Sequence, residues 1–91
     1  MNLRFPFIKN PPLVSVVRLT GMIGTGGRST LNDAAMAPLL EKAFRRGKPA
    51  AVALEINSPG GSPVQSSLIA SRIRRLSEET KVPVFAFVED L

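Results

Sequence analysis

Three stretches of this 91-residue chain read as strands and two as helices. Leu13 to Thr20 (LVSVVRLT) is β-branched and mostly apolar, which predicts a buried strand. Gly21 to Gly27 follows as a glycine-rich loop, with a possible short strand at Met22-Ile23. From Asn32 the period becomes helical: Met36, Leu39, Leu40, Ala43 and Phe44 sit at i, i+3, i+4, i+7 and i+8, one apolar stripe. Gly47 suits a left-handed C-terminal cap, while Pro38 predicts a kink or a separate first turn. Ala51 to Asn57 (AVALEIN) is the second strand, apolar except for Glu55. Ser58-Pro59-Gly60-Gly61 is a turn. Ser62 as N-cap, Pro63 at the first helical position and Gln65 bonding back to the cap then open the second helix. Its residues Leu68, Ile69, Ile73 and Leu76 share an arc of about 140°. Val82 to Glu89 (VPVFAFVE) is the third strand.

The order strand, helix, strand, helix, strand predicts an α/β fold with a partial parallel sheet and right-handed crossovers. Residues 1–12 form a lead-in ending in the stiff Asn10-Pro11-Pro12, and residues 13–91 form the front of a domain that is incomplete at residue 91. A parallel sheet ordinarily has more strands than three and both faces covered.

Composition narrows the chemistry. There is no cysteine and no histidine, so disulfides, thiol nucleophiles, imidazole bases and the usual metal ligands are missing. No metal or cofactor is expected. The net charge of +5 comes from 12 Lys and Arg against 7 Asp and Glu. The clusters Arg45-Arg46-x-Lys48 and Arg72-x-Arg74-Arg75 lie near helix ends, where cations are favoured by the helix dipole. With no Trp or Tyr to stack on bases, no nucleic-acid partner is expected. No segment approaches the roughly 20 apolar residues of a membrane span, and the first nine residues lack a signal-peptide core. The expected location is cytoplasmic, with peripheral membrane association possible but not encoded in these residues.

In open α/β sheets, ligands gather beyond the carboxyl ends of the strands. The loop Asn57-Ser58-Pro59-Gly60-Gly61-Ser62-Pro63 leaves such an end and enters a helix N-terminus. Consecutive glycines let backbone N–H groups face an open site, and the helix start adds positive potential. The physics points to an anion or oxyanion site. A phosphate cradle, an oxyanion hole and a plain strand-to-helix turn all satisfy it, although the loop lacks the P-loop ending and the GxGxxG spacing.

The run Val52-Ala53-Leu54-Glu55-Ile56-Asn57-Ser58-Pro59-Gly60-Gly61-Ser62-Pro63-Val64-Gln65-Ser66-Ser67 resembles the signal peptide peptidase A / SohB family of serine peptidases. Val16 to Ile23, the helix around Leu39 to Ala43 and the closing Val82 to Val88 fall in that family's order, so the resemblance covers about residues 13–91. It implies a ClpP/crotonase-like fold and peptide hydrolysis through an acyl-enzyme, with a Ser/Lys dyad. By the same resemblance, Gly60 and Gly61 would give backbone N–H groups to the oxyanion hole, Gly61 foremost, and Ser62 and Val64 would line the substrate cleft. The family's nucleophilic serine and general-base lysine lie beyond residue 91, so the chain alone is expected to be inactive. The implied partners are a peptide or protein substrate and further copies of the chain in a homo-oligomer.

No internal pair replaces the dyad. Lys42, Lys48 and Lys81 sit at solvated helix or loop ends, Lys9 is in the lead-in, and a Ser–Lys dyad needs a desolvated lysine. A non-catalytic homologue that binds peptides or pairs with a full-length subunit is the alternative; a crotonase-type acyl-CoA enzyme shares the fold logic. Glu55 is expected to pair with an arginine or to sit partly exposed, and Arg72 to lay its stem over the core or to meet a carboxylate such as Glu55. The Gly21–Gly27 loop reads equally as a flap over the cleft or as a surface connection.

Overall fold

The computed structural model describes residues 12–25 and 30–89. Among the described residues the elements follow in the order β1 (Val14–Thr20), β2 (Met22–Ile23), β3 (Thr30–Leu31), α1 (Asp33–Arg45), β4 (Ala51–Asn57), α2 (Pro63–Thr80) and β5 (Val84–Val88). The lead-in and Gly26-Gly27 of the expected loop lie outside the described residues, apart from Pro12.

The main sheet has the order β1-β4-β5, all parallel, with Val16 opposite Ala53 and Ala53 opposite Phe85. Both crossovers step the same way across the sheet. Right-handed connections therefore place α1 and α2 on one face. The alternation of β4 shows which face that is: Val52 and Leu54 are buried, whereas Glu55 is exposed. The core joins these two residues and Leu19 to Met36, Leu40 and Phe44 of α1 and to Ile69 and Leu76 of α2. On the opposite face Val14, Val16, Phe85 and Phe87 remain exposed in adjoining rows. The expected α/β layer with a parallel sheet is therefore present, with helices on one side.

Several local expectations change. The apolar stripe of α1 narrows, because Leu39 is 53% exposed while Met36, Leu40 and Phe44 are buried. In α2, Leu68 turns outward and Ile69 and Leu76 carry the burial. Pro38 does not divide α1, which runs unbroken from Asp33 with Asn32 as its N-cap. What Pro38 removes is one amide donor, the one that would serve the carbonyl of Ala34. Gly47 has φ +72°, the left-handed geometry expected just past the helix. The last strand begins two residues late: the Val82 N–H donates to the Ser77 carbonyl (3.2 Å) and Ser77 Oγ donates to the Val82 carbonyl (2.6 Å), tying Val82 to the end of α2.

A second, two-stranded parallel sheet pairs Met22 with Thr30 and Ile23 with Leu31. It lies at the carboxyl end of the main sheet, because the Gly21 N–H donates to the Asn57 carbonyl (3.1 Å). Sequence pattern suggested Met22-Ile23 as a strand; its partner at Thr30-Leu31 was too short to carry a period.

Candidate functional site

The loop after β4 is fastened to β2 by two backbone bonds. The Ile23 N–H donates to the Gly60 carbonyl (2.9 Å), and the Ser62 N–H donates to the Ile23 carbonyl (2.7 Å). Gly61 sits between these bonds as a parallel bridge partner of Ile23. The contact is close enough that a Cβ on Gly61 would overlap the Ile23 carbonyl group and lie 2.9 Å from the Ile23 nitrogen. Gly61 also holds φ +144° and Gly60 φ +106°, conformations that a side chain disfavours. The two glycines differ in surroundings, because nothing lies within 4 Å of a Cβ placed on Gly60.

The two amides differ as well. The Gly60 N–H donates to Ser58 Oγ (3.1 Å), closing a local turn. Among the described residues nothing accepts from the Gly61 N–H, which points away from the bridge to Ile23. The sequence presented Gly60 and Gly61 as a pair of donors; the geometry leaves one amide, that of Gly61, for an outside acceptor. Ser62 acts as the N-cap of α2, accepting from the Gln65 N–H (3.2 Å). Val64 is 67% exposed. A mostly aliphatic cavity of about 170 Å³ lies nearby, bounded by Leu19, Ile23, Met36, Ile56, Ile69 and Ser66 among others; neither Ser62 nor Val64 lines it.

The start of α1 is locked to α2. Gln65 does not bond back to Ser62; its Oε1 accepts from the Asp33 N–H (2.8 Å), one of the amides that a helix start leaves unpaired. Arg72 meets a carboxylate, but that carboxylate is not Glu55. It grips Asp33 with two bonds, Nε to Oδ1 at 2.7 Å and Nη2 to Oδ2 at 2.9 Å. Both side chains are about one-fifth exposed, so this fork is shielded more than an ordinary surface pair. The hydrogen bond from Arg72 holds the Asp33 carboxyl below its usual range, against a smaller opposing effect of burial. Arg72 stands out in the sequence, because it falls inside the apolar arc of α2, but its partner does not: Asp33 is 39 residues away and interrupts no pattern. Glu55 pairs with Arg18 across the strands at 3.0 Å, on the exposed face. Asn57 Nδ2 donates to Glu89 Oε1 (3.2 Å) one row further on.

No family model matches the sequence. Two curated relatives do align with it. One, from Brucella melitensis biotype 1, is 56% identical over 81 residues, covering 86% of this chain and 11% of the relative. The other, from Brucella abortus strain 2308, shows the same identity and the same coverage. Both are named Na(+)/H(+) antiporter NhaA. The chain thus spans about a ninth of the length of the relatives it matches.

Those names correct the functional expectation. The relatives are named for ion exchange, not hydrolysis, so membership of the signal peptide peptidase A / SohB family and serine endopeptidase activity are withdrawn. The peptide-binding or oligomer-partner homologue has no support from them either. Asn57-Ser58-Pro59-Gly60-Gly61 misled for a physical reason. Its glycines are required by the crossing of β2 over the loop and by positive φ, whatever chemistry follows. The cytoplasmic expectation is corrected too, because an antiporter exchanges ions across a membrane. Among the described residues no helix is long and apolar enough to cross one.

Proposed function

We propose that this chain serves sodium/proton exchange as an α/β accessory portion of a longer antiporter-type polypeptide. The observation that carries the reading is 56% identity over 81 residues to a limited stretch of two proteins named as antiporters. The one-sided layer supports it: Val14, Val16, Phe85 and Phe87 form an uncovered apolar face, which parallel sheets ordinarily cover with further structure. In this reading Gly60 and Gly61 shape the junction of β2 with α2, and the Gly61 N–H offers one hydrogen bond to a carbonyl or carboxylate of the surrounding polypeptide. Ser62 and Val64 stand at the same junction, Ser62 as cap and Val64 outward.

The ClpP/crotonase-like assignment stands as a proposal beside it. Three parallel strands with both crossover helices on one face fit the opening of such a sheet. A structure of the longer polypeptide tests this by whether a further strand pairs with β5.

The functional test uses everted membrane vesicles from cells making the native polypeptide. Sodium-driven proton movement is followed with a pH-sensitive dye, with and without residues 13–89. Loss of exchange, or of the transporter from the membrane, is expected on deletion. Unchanged exchange at unchanged abundance would overturn the reading. The intact mass of the native polypeptide, measured first, must exceed the 9.8 kDa of this chain.

A further inference from the structure

The outer edge of β1 combines three features that fit one kind of partner. The first is an open backbone edge. Among the described residues β1 pairs only with β4, and the Ala50 N–H to Leu13 carbonyl and Gly21 N–H to Asn57 carbonyl bonds show that odd-numbered residues of this strand face β4. The N–H and C=O groups of Val14, Val16, Arg18 and Thr20 therefore point outward, ready to pair with another strand.

The second feature is a groove of about 450 Å³ along this edge, between β1 and α1, bounded by Val16, Val17, Leu39, Lys42, Ala43 and Arg46 among others. Its apolar part is accessible: Leu39 is 53% exposed. The third is charge. Lys42 and Arg46 are one helical turn apart on the groove wall, and among the described residues neither forms a salt bridge. They rise about 6.0 Å along the helix, close to the roughly 6.6–6.8 Å between alternate residues of a strand. Two carboxylates at alternate positions of an added strand would meet both cations, while an apolar residue two positions away would cover Leu39. The intervening side chains would fall on the open sheet face beside Val14 and Val16.

We propose that the β1 edge binds an acidic, extended polypeptide segment as an added strand, with Lys42 and Arg46 reading carboxylates at alternate positions. The backbone edge supplies affinity and the two cations supply selectivity. The surface lies on the far side of β1 from the β4 loop, so its occupancy does not depend on the antiporter reading.

The test titrates the 91-residue chain with the peptide acetyl-Ser-Leu-Val-Glu-Val-Glu-Ser-amide. Saturable binding is expected, with amide exchange at Val16 and Arg18 slowed by at least about tenfold when the site is filled. Replacing both peptide glutamates with glutamine, or making the double variant Lys42→Gln/Arg46→Gln, should weaken binding by about tenfold or more. N-methylation of alternate peptide amides should weaken it similarly while leaving its charge intact. This last comparison uses the unmodified protein, so it stands even if the double variant folds poorly. The proposal is overturned by no saturable binding, by equal binding of the N-methylated peptide, or by protection of the edge amides through self-association without peptide.

Discussion

Replacing Gly61 with alanine tests the junction between the β4 loop and β2 more sharply than any other single change. Two costs add at this position. A side chain at φ +144° is strained, by about 1–3 kcal/mol. The new Cβ would also overlap the Ile23 carbonyl group, which is backbone and has no rotamer to escape into. Relief requires β2 to move away, loosening the Ile23-to-Gly60 and Ser62-to-Ile23 bonds, each worth about 1 kcal/mol net. The expected loss is therefore about 3–5 kcal/mol, a large share of the roughly 5 kcal/mol available to a small domain. Gly60→Ala is the internal control. It carries positive φ but meets no atom within 4 Å, so strain alone should cost about 1–3 kcal/mol. Urea unfolding followed by circular dichroism reads both variants, and absence of a cooperative transition in Gly61→Ala counts as the expected result. Equal losses for the two variants would refute the argument, because strain would then be the whole effect and the crossing of β2 none of it.

Other consequences can be checked with the same unfolding assay. Phe44→Ala removes a ring that is 1% exposed beneath the sheet and should cost about 3–5 kcal/mol; a loss under 1 kcal/mol would mean that α1 does not pack there. Ser62→Ala deletes the cap that accepts from the Gln65 N–H and should cost about 1 kcal/mol, with Ser62→Asp restoring most of it. Because the Arg72 hydrogen bond holds Asp33 below its ordinary value of 3.8, the pairing contributes stability above that value and loses it as pH falls further, through the folded-state value. The urea midpoint should therefore drop as pH falls from about 5 to below 3.8, and it should drop less in Asp33→Asn; identical pH profiles would remove the pair from the account.

Much of the framework was legible in local pattern. AVALEIN has a strand's composition and Ser62-Pro63-Val64-Gln65 a helix start, and both elements begin where those signals place them. What escaped were features settled by contacts between distant segments. Gln65 reads locally as a partner for Ser62, yet once the helices pack the Asp33 N–H is the unsatisfied donor within reach, and it takes the side chain. Leu39 belongs to the apolar stripe by spacing, but it lies beside the open edge of β1, outside the layer that covers the sheet. The loop posed a different difficulty. Two glycines in sequence report permissive backbone and say nothing about whether that freedom admits a ligand or a crossing strand. In this chain Ile23 occupies the space a Gly61 side chain would need, and Ser58 uses the Gly60 amide.

The central place of β4 also fixes when the sheet can exist at all. β1 is complete at Thr20, but β4, its partner among the described residues, is complete only 37 residues later, as the pairing of Thr20 with Asn57 requires. At about 5–20 residues per second of synthesis, β1 waits roughly 2–7 s with its valines unpaired. Helix α1 can form during that interval, since its bonds are local, whereas no pair of strands in the main sheet can close before β4 emerges. The middle strand is thus the clock of assembly, and substitutions that slow its pairing should be felt first as misfolding of newly made chains, before any change in the finished fold.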